Sequence, residues 1–219
     1  MGRGVAPFHS PGTLRLRGVT GKLYFGEVLR KYVASESVDL VYLDPPFNSN
    51  RNYSVIFNKH GQVNVDETAQ IQAFEDTWHW TPQTEAHFAD FIISAPGNVA
   101  DAMSAFRTLL GENDAMAYLA NMAPRLVELH RVLKPTGSLY LHCDPTMSHY
   151  LKVLLDAIFD ARNFVNEIIW KRTSAHNRVR RFGPVHDTIL AYSKSTDWQW
   201  NPVYVAYDQA YLDRDYRRV

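Results

Sequence analysis

The stretch VDLVYLDPPFNSN, residues 38 to 50, constrains this chain more than any other. An almost unbroken apolar run from Val38 to Leu43 stops at Asp44, and Pro45, Pro46 and Phe47 follow. A run this short and this apolar predicts a β-strand covered on both faces, as central strands of parallel sheets are. Two consecutive prolines end it, because each fixes φ and removes a backbone N–H. The pattern therefore leaves a carboxylate at the carboxyl end of a strand, where open α/β sheets bind ligands.

The rest of the chain predicts what surrounds that strand. Leu23 to Phe25 reads as a short strand, and Glu27 to Val33 as a short helix with Val28, Leu29, Tyr32 and Val33 on one face. Residues 48 to 80 are polar and aromatic without clear periodicity, which predicts a long loop or insertion. Helical patterns follow near 83–94, 98–110 and 114–131, with Pro124 a point for a kink in the third. Pro135 and Gly137 predict a turn, and SLYLHC at 138–143 a second short strand. Asp144 and Pro145 read as the cap and first-turn proline of a helix running to about Phe159. Strands near 166–171 and 187–193 flank a basic, turn-rich segment, as in a long hairpin. Strands alternating with helices predict an α/β fold with a largely parallel sheet.

Composition narrows the partners. The 219 residues are 46% hydrophobic with zero formal net charge, ample for a core and without a global field. Charge is nonetheless local: Lys171, Arg172, Arg178, Arg180 and Arg181 occur with no acid among them, a solvated face or a phosphate-binding stretch. Residues 1–21, rich in Gly and Pro, read as a flexible lead-in. The single cysteine, Cys143, allows no intrachain disulfide. No apolar run approaches the roughly 20 residues of a membrane span, so a cytoplasmic protein with no membrane association is expected.

The residues at 44 to 47 have a joint chemistry. An ionised Asp44 only accepts hydrogen bonds. Pro45 and Pro46 keep their carbonyls but offer no N–H donors. The loop is thus rich in acceptors, which suits an NH₂ group: one hydrogen on the Asp44 carboxylate, another on a carbonyl such as that of Pro45. Phe47 can stack on the ring bearing the amine. An aromatic amine is a poor nucleophile because its lone pair is delocalised. Two acceptors on its hydrogens draw the nitrogen toward a tetrahedral shape and aim the lone pair at an electrophile. Asp and Pro are also common turn residues, so the same four could simply end a strand.

DPPF after an apolar strand resembles the catalytic motif of amino-group DNA methyltransferases. ESVDLVYLDPPFNSNRNYSVIF, MAPRLVELHRVLKPTGSLYLHCDP, HYLKVLLDAIF and NEIIWKRTSAHN look like consecutive blocks of the β-group of adenine-N6 methyltransferases of bacterial restriction–modification systems. The resemblance implies transfer of a methyl group from S-adenosylmethionine to N6 of a flipped adenine in double-stranded DNA. It implies that Asp44 and Pro45 hold the amine, that Pro46 shapes the loop, and that Phe47 stacks on the base. Asn48 to Tyr53 would extend the base pocket, and Asp44 with Gly26 would border the cofactor. Trp170, Lys171 and Arg172, with Arg178, Arg180 and Arg181, would face DNA. Trp170 equally fits an ordinary core aromatic. A restriction subunit is a possible partner.

The family sheet runs 3-2-1-4-5-7-6, with strand 7 antiparallel. The resemblance then makes residues 22–219 the N-terminal part of a Rossmann-like catalytic domain. Strands 3, 4, 5, 6 and 7 would be present and strands 1 and 2 missing. The sheet would be open along 38–43, with 23–25 an orphan strand. Two departures from the family pattern matter, and the first implies a partial domain. The glycine-rich F-x-G-S-G cofactor loop does not occur in these residues, and Gly26 is followed directly by Glu27 where the family has Gly-Asp-Asn-Leu. The isolated chain is therefore expected to be inactive. N4-cytosine methylation uses the same amine logic, although that group more often has Ser in place of Asp44. A non-catalytic nucleic-acid-binding remnant is the alternative of a different class. His142, Cys143, Asp144 and His149 include metal-ligand types but lack ligand spacing. Cys143 is not preceded by the proline of cytosine-C5 enzymes.

Overall fold

A computed structural model describes residues 25–45, 52–55, 71–75, 78–172, 185–202 and 204. Its elements are α1 (Phe25–Tyr32), β1 (Val38–Leu43), β2 (Asn52–Val55), β3 (Ile71–Glu75), α2 (Pro82–Ser94), α3 (Gly97–Leu110) and α4 (Asp114–Val132). Then come β4 (Leu133–Cys143), α5 (Ser148–Phe159), a 3-10 turn at Ala161–Asn163, β5 (Phe164–Lys171) and β6 (His186–Ser193). The main sheet has the order β1-β4-β6-β5. β1 and β4 are parallel, while β6 runs antiparallel to both β4 and β5.

α2, α3 and α4 form where the periodicity predicts. The Thr81 side chain accepts the N–H of Thr84 at the start of α2, and Asn113 accepts that of Met116 at the start of α4. α4 carries Pro124 and still runs 19 residues. One core joins Met116, Leu119, Ala123, Leu126 and Leu129 of α4 to Leu151, Leu154, Leu155 and Phe159 of α5. Met103 and Phe106 of α3 enter it, with Leu139, Leu141, Leu190 and Tyr192 from the sheet. Side chains alternate across a strand, so this core meets one face of the sheet. Leu40, Tyr42, Tyr140 and His142 belong to the other.

α1 is tied to α4 by a guanidinium. Arg131 Nη2 donates to the Leu29 and Val33 carbonyls at 2.9 and 3.1 Å, satisfying acceptors at the end of α1. Its Nη1 donates to Ser35 Oγ at 2.9 Å, and its Nε pairs with the buried Glu128 at 2.7 Å. Arg30 holds the other Glu128 oxygen at 3.1 Å.

Several expectations change. The sheet is mixed rather than largely parallel, with one parallel and two antiparallel ladders. β1 is an edge strand among the described residues, so Leu40 and Tyr42 are 59% and 55% exposed rather than covered on both faces. The segment 48–80 contains the antiparallel pair β2–β3. Phe25 opens a helix instead of ending a strand; Leu23 and Tyr24 lie outside the described residues. Residues 134–137 stay within β4 as a bulge, because Val38 faces Leu133 while Leu40 already faces Ser138. Lys194 and Gln199 donate backbone N–H groups to the Gly137 and Thr136 carbonyls and satisfy the bulge. Asp144 caps a turn rather than α5: its Oδ1 accepts the N–H of Thr146 and of Met147, each at 3.1 Å, and α5 begins at Ser148.

Candidate functional site

Register decides what meets at the end of the sheet. Tyr42 and Leu43 face Tyr140 and Leu141 in parallel, so the next step brings Asp44 beside His142. His142 faces Ile189 on β6, and Trp170 of β5 faces Asp187. The carboxyl ends of β1, β4 and β5 thus share one end of the sheet with the amino end of β6. His142, Asp187 and Trp170 fall on one face by the same alternation.

The Asp44 side chain is 57% exposed, and its Oδ1 lies 3.1 Å from His142 Nδ1. Its other oxygen has no protein partner among the described residues. His142 Nε2 lies 3.3 Å from Asp187 Oδ2. The Asp187 side chain is only 5% exposed, and its Oδ1 meets Arg172 Nη1 at 3.2 Å. A buried carboxylate is tolerable because both oxygens are engaged. These four residues form a continuous polar line from Arg172 through Asp187 and His142 to Asp44. Burial, and then the Asp44 charge, push the Tyr42 hydroxyl pKa up.

The other expected residues divide by position. Pro45 is buried directly after Asp44. Trp170 is 58% exposed, so it is a surface ring and not a core aromatic. Lys171 is exposed beside it. Arg172 is half exposed and pairs through Nη1 with Asp187. Tyr53 lies on β2 opposite Phe74. Gly26 lies in α1, and a Cβ there would meet nothing within 4 Å, so it is no strand-to-helix cofactor turn. Pro46, Phe47, Asn48, Arg178, Arg180 and Arg181 lie outside the described residues.

Cys143 is buried and points to the helix-covered face. Burial first, then Asp144, Glu167 and Asp187, push its thiol up to about 12, which leaves it protonated and unreactive at neutral pH. Among the described residues, no group of three or more His, Cys, Asp and Glu could hold a metal ion. No helix among them is long and apolar enough to cross a membrane.

Sequence reasoning missed His142 and Asp187 as partners of Asp44. The signal was present in part: His142 is the polar residue two positions after Tyr140 on a strand whose alternate residues are Leu139, Leu141 and Cys143. Asp187 stands at the head of an apolar strand. Only the β4–β6 register joins them.

Comparison with known proteins assigns this architecture. The sequence is 27% identical over 188 residues to the type II methyltransferase M.EcaI of Enterobacter cloacae, covering 85% of this chain and 31% of that protein. It is 24% identical over 182 residues to the type III restriction-modification enzyme EcoP15I Mod subunit of Escherichia coli, covering 80% and 24%. It is 33% identical over 84 residues to the type II methyltransferase M.KpnI of Klebsiella pneumoniae, covering 38% and 19%. The chain therefore spans under a third of the length of these relatives. The family model for DNA methylases of the N6/N4 methyltransferase group matches residues 38–218, from the first residue of β1 onward, and the chain belongs to that family.

Proposed function

We propose that this chain supplies the amine-binding half of a DNA methyltransferase that acts on N6 of adenine in double-stranded DNA. The observation that carries this reading is the Asp44 carboxylate, 57% exposed and with one oxygen against His142, immediately before Pro45 at the carboxyl end of β1. Asp44 accepts one amine hydrogen and the Pro45 carbonyl the other, so the nitrogen lone pair is freed from the ring and aimed. Pro46 shapes the loop. Phe47, Asn48 and Tyr53 enclose the base. Trp170 and Lys171 face DNA beside the site, and Arg178, Arg180 and Arg181 supply phosphate contacts. Aspartate at the head of the motif favours adenine over cytosine.

The methyl donor of this reading is S-adenosylmethionine, which when bound supplies an electrophilic methyl group on a sulfonium. The described residues fit it only in part. Asp44 is an exposed acceptor at the sheet end, but Gly26 in α1 offers no glycine loop. The donor pocket belongs, in this reading, to a part of the enzyme outside these 219 residues. We take β1, β4, β6 and β5 as strands 4, 5, 7 and 6 of the family sheet, which the observed order and the antiparallel β6 support. The exposed edge of β1 is then the seat of strand 1. The Mod subunit named among the relatives makes a restriction subunit the expected partner class.

Mass spectrometry of nucleosides from DNA treated with the assembled enzyme tests the proposal. The expected product is N6-methyladenine. N4-methylcytosine alone, or no methylated base from an enzyme that binds both DNA and the donor, overturns it.

A further inference from the structure

Asp44 poses a mechanical problem. It follows the last residue of an edge strand, its side chain is 57% exposed, and a carboxylate so placed is free to turn. Catalysis by orientation needs it held, because a misplacement of about 1 Å costs on the order of 100-fold in rate. The fold places one polar group of the neighbouring strand against it. His142 Nδ1 meets Asp44 Oδ1 at 3.1 Å, and the side chain is only 16% exposed. The ring is itself fixed from behind. Its Nε2 meets Asp187 Oδ2 at 3.3 Å, and Asp187 is buried and held by Arg172 at 3.2 Å.

We propose that His142 is a positioning residue: seated on Asp187 and Arg172, it pins Oδ1 of Asp44 so that the second carboxylate oxygen faces the target amine. The inference rests on the amine-binding role proposed for Asp44. The contact crosses from β1 to β4, so the parallel register of those two strands sets the acceptor's direction. Arg172 then contributes to the site through Asp187 as well as through its charge.

Two amide substitutions separate the two ends of the imidazole. The amide nitrogen of asparagine overlays Nδ1, so His142→Asn keeps a donor for Asp44. That of glutamine overlays Nε2, so His142→Gln keeps a donor for Asp187 and leaves Asp44 unheld. In the assembled enzyme, single-turnover methyl transfer is expected to fall about 100-fold in His142→Gln, with DNA affinity within about twofold of the parent. His142→Asn is expected to recover at least about tenfold of that loss. Equal losses in the two variants, or a parent-like rate in His142→Gln, overturn the proposal. A second arm needs no activity. In the ¹⁵N-histidine spectrum of the 219-residue chain, Asp44→Ala is expected to move the Nδ1 signal of His142 and Asp187→Asn the Nε2 signal. An Nδ1 signal unmoved by Asp44→Ala overturns the pinning. If the unsubstituted enzyme transfers no methyl at all, the functional reading fails, and the spectrum still decides the contact.

Discussion

Replacing Arg131 with methionine tests how α1 is attached to the domain. The side chain makes four polar contacts: Glu128 Oε2 at 2.7 Å, Ser35 Oγ and the Leu29 carbonyl at 2.9 Å, and the Val33 carbonyl at 3.1 Å. Screened by solvent, the bonds from the guanidinium to its three neutral acceptors contribute the ordinary net of about 0.5–1.5 kcal/mol each, and the one to the Glu128 carboxylate about 1.5–3. Arg131 is 30% exposed, so the lower end of each range applies. Glu128 keeps Arg30 at 3.1 Å and is not left as an unpaired buried charge. The expected loss is about 3 kcal/mol, a large share of the roughly 5–15 kcal/mol that holds a domain folded. Methionine preserves most of the aliphatic stem, so lost apolar contact is a minor contribution. Urea unfolding followed by circular dichroism measures the loss, and amide exchange locates it. Exchange in α1 is expected to quicken before that in α4, because Leu29 is the buried side chain among those described in α1. Arg131→Lys is expected to recover less than half, since an ammonium cannot reach four partners in a planar fork. An Arg131→Met variant within about 0.5 kcal/mol of the parent refutes the attachment.

Other outcomes follow from the same structure. A Cβ at Gly137 would lie 3.0 Å from the Asp39 and Lys134 carbonyl oxygens and from Leu133 Cδ2. Gly137→Ala is therefore expected to cost about 1–3 kcal/mol in urea unfolding, whereas Gly97→Ala, with nothing within 4 Å, is expected to be neutral or mildly stabilising. Burial, then the Lys194 charge, lower the His130 pKa below its ordinary 6.5. The unfolded chain then binds that proton more tightly, so the stability His130 contributes is full above pH 6.5 and is lost as pH falls through that value toward the lower folded one. His130→Gln is expected to flatten the dependence of Tm on pH between about 7 and 5; an unchanged slope contradicts this.

The sequence carried the local structure well, for physical reasons visible in particular residues. The apolar three-four pattern near 114–131 marks α4, and Val38–Leu43 is too short and apolar to be other than a strand or a buried helical turn. Long-range register was not legible. Nothing local says that Leu40 faces Ser138 rather than Thr136, yet that bulge sets the partner of Asp44. The same gap hid the role of His142. Beside Cys143 and Asp144 it offers metal-ligand types without ligand spacing, and only the parallel ladder sets it against a carboxylate on another strand. Trp170 and Arg172 were legible as residues but not as neighbours. Trp170 proved a surface ring, and Arg172 proved to be the counter-ion of Asp187. β2 and β3 escaped because 4- and 5-residue strands in a polar segment carry too few periods to stand out.

The central claim is that the Asp44 carboxylate activates an amine and does not merely end a strand. Asp44→Ala in the assembled enzyme, followed by single-turnover transfer of labelled methyl to DNA and by DNA affinity in parallel, tests it most directly. Transfer slowed about 10³-fold or more, with DNA affinity within about threefold of the parent, is the predicted result. Transfer within about tenfold of the parent contradicts it, and Asp44 would then be only the residue that takes the chain out of the sheet.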